Sequence, residues 1–95
     1  MKPLIVLLML PSMAFALSCE DKAAFANAVM TNVQLGKPFL EAYQSTKSMT
    51  EKERVFAKRV LFDAYGRRPG KTIPEREKIK QWFANKYAME CVKNE

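Results

Sequence analysis

From Ser18 onward the apolar positions recur at steps of three and four, the spacing of a helix with one buried face. Ser18 with Asp21 reads as a helix start. Phe25, Ala28, Val29 and Val33 follow as the apolar stripe, and Gly36 before Lys37-Pro38 stops the run, predicting a first helix of about 16 residues. Pro38 suits the first turn of a short second helix, "PFLEAYQS", whose apolar positions are Phe39, Leu40, Ala42 and Tyr43. "TEKE" at Thr50 to Glu53 has capping-box spacing and predicts a third helix from Glu51 to Tyr65, ending at Gly66. That helix should bury Phe56, Ala57, Val60, Leu61 and Ala64 and turn Lys52, Arg54, Lys58, Arg59 and Asp63 mostly outward. After "GRRPGK", Thr72 and Glu75 repeat the box spacing around Pro74. A fourth helix of about 18 residues then carries Ile79, Phe83, Tyr87 and Cys91 at steps of four, with Trp82 beside that line. No segment alternates as a half-buried strand does, and none is repeated or low in complexity, so the pattern predicts an all-α bundle of about four helices.

The residues before Ser18 follow a different rule. Lys2 supplies a positive start, "LIVLLML" at Leu4 to Leu10 a short apolar run, and "AFA" at Ala14 to Ala16 a small-x-small cleavage pattern. Seven apolar residues before Pro11 fall well short of the roughly 20 that span a bilayer, so residues 1–16 read as a cleaved secretory signal and 17–95 as a single helical domain. Cutting 16 residues from 95 leaves 79, with Cys19 near one end and Cys91 near the other.

Cys19 has two readings. A lipoprotein signal places Leu three residues before the modified cysteine; here positions −3 to −1 are Ala16, Leu17 and Ser18, which is out of register. An even number of cysteines in an exported chain implies pairing, so a Cys19–Cys91 disulfide is the favoured reading and a lipid anchor through Cys19 the other. The bond requires the first and fourth helices to run antiparallel side by side, and at 1.5 Å per residue their expected lengths of roughly 24 and 27 Å match. Closing so long a ring contributes about 4 kcal/mol in the chain-entropy model, comparable with the about 3–5 kcal/mol a core of this size supplies.

Losing Lys2 with the leader leaves 15 basic against 10 acidic side chains, a net charge of +5 that favours anionic surroundings without specifying one. The densest basic segment, "GRRPGKT" at Gly66 to Thr72, resembles a phosphate-binding loop only superficially. Three residues separate its glycines where four are needed, and a helix precedes it where a strand belongs. Arg67, Arg68 and Lys71 nevertheless form a candidate contact for an anionic partner beside the start of the fourth helix. The competing and favoured reading is a solvated connector whose arginines answer Asp63 and the carbonyl end of the third helix.

The chain lacks histidine, and pairing both cysteines removes the strongest nucleophile, so no catalytic or metal site is expected and no cofactor is implied. The carboxylate pairs Glu51/Glu53 and Glu75/Glu77 sit two apart near helix starts, where acids favour the helix dipole and do not face each other. Nucleic-acid binding through Tyr65, Trp82 and Tyr87 is disfavoured because aromatics at helical spacing are usually core and an exported chain seldom meets nucleic acid. A membrane role for the third helix is disfavoured because Glu51, Glu53 and Asp63 blur its basic face.

Cys19, "AVMTNVQLGKP" at Ala28 to Pro38, "RVLFDAYGRRP" at Arg59 to Pro69 and "IKQWFANKYAMEC" at Ile79 to Cys91, in that order, resemble a family of small exported two-cysteine helical proteins of phage, prophage and Gram-negative bacterial genomes. The resemblance implies a periplasmic helical domain and carries no functional residue across. The expectation is a monomeric periplasmic interaction protein that binds or blocks an envelope macromolecule, of exclusion, immunity or inhibitor type, without enzymatic activity. The alternative is a holdase-type stress chaperone.

Overall fold

A computed structural model describes residues 18–95, and the proposed leader lies outside them. Four helices follow in order: α1 (Cys19–Gln34), α2 (Phe39–Gln44), α3 (Glu51–Tyr65) and α4 (Ile73–Lys93), with no strand among the described residues. The all-α class and the helix order are as the apolar spacing predicts.

The starts of α1, α3 and α4 follow from side-chain caps, whereas α2 opens at Pro38 without one. Ser18 Oγ accepts the Asp21 amide at 3.0 Å, opening α1. At α3 the box is complete: Thr50 Oγ1 accepts the Glu53 amide at 3.3 Å, while Glu53 Oε1 accepts the Thr50 amide at 2.8 Å. At α4 the return bond reaches one residue further back. Thr72 Oγ1 accepts the Glu75 amide at 3.3 Å, but Glu75 Oε1 accepts from the Lys71 amide at 2.7 Å, so the box also fixes the incoming loop. The helix begins at Ile73 and runs past Cys91 to Lys93, making 21 residues and about 32 Å where about 18 residues were expected. Gly36 closes α1 with φ of 77°, a left-handed conformation that a Cβ would strain.

α1 and α4 lie antiparallel. Cys19 at the start of one is bonded to Cys91 near the end of the other, with Cα atoms 5.5 Å apart. At the opposite end Gln34 of α1 reaches the loop just before α4. α3 packs across this pair and α2 packs on α3. The core holds Ala26, Val29, Met30 and Val33 from α1, Ala42 from α2, Val60, Leu61 and Ala64 from α3, and Phe83 and Tyr87 from α4. Phe56 sits at its edge, 5.9 Å from both Phe25 and Tyr87 between ring centroids.

Four expectations need correction. Ala28 is exposed, and the stripe of α1 runs instead through Ala26, Val29, Met30 and Val33, because at 3.6 residues per turn Ala28 falls on nearly the opposite side of the helix from Met30. Leu40 is exposed, since the single turn and a half of α2 buries only Ala42, and Pro38 stands at the N-cap just before its first turn. Asp63 does not face outward. It is half-buried beneath α4.

Candidate functional site

Asp63 is the hub of the polar structure. Its carboxylate accepts from Tyr87 Oη at 2.7 Å, from Lys86 Nζ at 2.6 Å and from Arg67 Nε at 3.1 Å, so one acid on α3 ties α4 and the basic loop together. Burial pushes the Asp63 carboxyl up, but the bonds from Lys86, Tyr87 and Arg67 outweigh it and hold the group below its ordinary value. The same contact acts oppositely on its partner: burial, then the bond to Asp63, raises the Tyr87 phenol far above the usual tyrosine range.

The predicted contact residues divide at this hub. Arg67 turns inward, with its guanidinium 2.9 Å from Asp63 Oδ1 and 4.6 Å above the centroid of the Trp82 ring. The Arg67–Asp63 pair is the one that the connector reading expects. Arg68 and Lys71 remain exposed. Between them Gly70 is buried and clamped from two sides: its amide donates to Gln34 Oε1 at 2.9 Å, and its carbonyl accepts from Arg76 Nε at 2.9 Å. A Cβ at Gly70 would lie 2.9 Å from the Arg76 backbone nitrogen, so glycine allows the loop to approach α4 this closely. Spacing along the chain gave no sign of Gln34 and Arg76 in this role, because their partner lies across the fold.

The outward face of α3 is partly committed as well. Arg54 donates to the Met49 carbonyl at 3.0 Å and closes the α2–α3 turn. Arg59 pairs with Glu90 through two bonds of 2.6 and 3.2 Å, which raises the arginine and lowers the glutamate. Lys52 and Lys58 stay exposed.

Next to the Arg59–Glu90 pair a cavity of about 310 Å³ opens at the disulfide end. Lys22, Phe56, Tyr87 and the two cysteines line it, with the Lys22 ammonium 5.4 Å from the Phe56 centroid. A second, open hollow of about 660 Å³ lies along the far end of α4, against Met89 and Val92 between Lys86 and Lys93. The carboxylates follow the dipole argument: Glu53 and Glu75 cap helices, and Glu77 pairs with Lys80 at 3.1 Å. Among the described residues no group of three or more Cys, Asp or Glu is placed to hold a metal ion, and no helix is long and apolar enough to cross a membrane. No family model, curated protein or solved structure matches the chain.

Proposed function

We propose that the protein is a small exported interaction protein that binds or blocks an envelope macromolecule through a preorganised cationic loop. The observation that carries this reading is the clamping of Gly66–Thr72. Arg67 is pinned to Asp63 and Trp82 and Gly70 is held by Gln34 and Arg76, so Arg68 and Lys71 project from a support that is already ordered. A charged group presented this way loses little further freedom on binding, which favours association with an acidic surface. The resemblance to small exported two-cysteine proteins points to the periplasm, as does a disulfide that needs an oxidising compartment. Our reading is of a monomer with no cofactor and no enzymatic activity.

The test is affinity capture from envelope extracts with the oxidised chain. A single stoichiometric partner, released by salt and lost from an Arg68→Glu/Lys71→Glu variant of unchanged melting temperature, supports the reading. Capture of nothing, or equal capture by the variant, refutes the loop as its site. The chaperone alternative rests on Leu35, Leu40, Val55 and Phe62, exposed apolar side chains at the end of α1, on α2 and on α3. It requires suppression of the aggregation of an unfolded substrate without stoichiometric selectivity.

A further inference from the structure

Along α4, Lys78, Trp82, Asn85, Lys86, Met89 and Lys93 are linked by steps of three and four and share the arc turned away from the core. Val92 borders it. Trp82, Met89 and Val92 are 51%, 70% and 59% exposed, so apolar groups stand among the lysines of this face. Between Lys78 and Lys93 the sole carboxylate is Glu90, and Arg59 holds it at the side facing α3. Lys78 and Lys93 have no ion-pair partner among the described residues, while Lys86 reaches Asp63 and keeps 37% of its side chain exposed.

The chemistry of this arc is one-sided. Ammonium groups and an indole N–H only donate hydrogen bonds, and Asn85 supplies the one side-chain acceptor among its polar groups. Such a line offers little to a neutral polar surface and much to phosphate. Its apolar groups come about one per turn or two, flanked by lysines long enough for their ammoniums to reach outward, and Arg67 lies over one face of the Trp82 ring at 4.6 Å. Tryptophan at the level of lysine ammoniums is the arrangement of a helix lying in a headgroup layer. The arc runs roughly 23 Å along α4, so it can meet a plane along its length. The face of α3 lacks this character, because Glu51 and Glu53 open it.

We propose that the outer arc of α4 is a peripheral docking surface for an anionic lipid bilayer, with Trp82 and Met89 at the headgroup boundary and Lys78 and Lys93 on lipid phosphates. The hollow beside Met89 and Val92 then faces the acyl side. The surface excludes Arg68 and Lys71, so its failure would leave the loop reading untouched.

Trp82 is the lone tryptophan and reports directly. The oxidised exported chain is mixed with vesicles of phosphatidylethanolamine and phosphatidylglycerol, or of phosphatidylcholine alone. Co-sedimentation and a blue shift of Trp82 emission are expected with the anionic vesicles, reversed by salt and absent with phosphatidylcholine. Lys78→Glu/Lys93→Glu should lower partitioning at least about tenfold, and Met89→Ser should reduce the blue shift. Lys52→Glu, a reversal on α3, should do much less. Absence of a shift on anionic vesicles, equal binding to phosphatidylcholine, or full binding by a correctly folded Lys78→Glu/Lys93→Glu variant overturns the proposal. So does loss of an envelope protein, with no loss of lipid, when that variant is used for capture.

Discussion

Asp63 is the residue on which the polar interior depends, because three donors from two other segments converge on it. Asp63→Ala would leave the buried Tyr87 hydroxyl without its acceptor. Losing a charge-assisted bond at a mostly buried group costs about 2 kcal/mol, which in a domain of this size lowers Tm by on the order of 10 °C. Thermal melting followed by circular dichroism checks this, and a shift of a degree or two would show that Asp63 is incidental. The pH profile follows from the same contacts. Asp63 and Glu90 have lowered folded values, so their contribution is present above the unfolded carboxylate range and is lost as pH falls through it, below about pH 4. Tyr87 is raised, so its contribution is complete below the unfolded tyrosine value and fades as pH rises beyond about 10. Stability should therefore be level between those limits and fall on both sides, with the alkaline fall weakened in Tyr87→Phe.

At the scale of the elements, sequence and structure agree where a local rule decides and part where a tertiary one does. The starts of α1, α3 and α4 were legible because Ser18, Thr50 and Thr72 cap their own helices within three residues. The exposure of Ala28 and Leu40 was not, since a short apolar run fits more than one helix face and packing on the rest of the fold selects among them. Arg67–Asp63 was readable from its i,i+4 spacing, whereas Tyr87, Lys86 and Trp82 join them only through folding. The Gly70 clamp makes that distinction testable. In Gly70→Ala the new methyl would press on the backbone of Arg76, so the loop must move outward and release Gln34. Amide exchange should quicken at residue 70 and its neighbours by on the order of tenfold or more while the centres of α1 and α4 stay protected. Unchanged protection of the loop would mean that Gln34 and Arg76 do not hold it.

At the scale of the whole molecule, the disulfide couples stability to compartment. It ties the start of α1 to the end of α4, 72 positions apart, and so constrains nearly the entire domain in its unfolded state. Reduction, or Cys91→Ser, should therefore remove up to about 4 kcal/mol and lower Tm by on the order of 15 °C or more; a reduced protein melting within a degree or two of the oxidised one would refute that role. The bond also bears on processing. Cys19 Sγ has one partner to give: bonded to Cys91, it has no thiol left for the thioether of a lipid anchor. The expected cleavage after Ala16 would leave Leu17 and Ser18 ahead of it, and the Ser18 cap of α1 intact. Intact-mass measurement on protein recovered from the exported fraction should then give a chain beginning at Leu17 and lacking two hydrogens. A chain beginning at Cys19 and heavier by a diacylglyceryl group would mean that Cys91 is left unpaired and that the stapled fold is not the exported form.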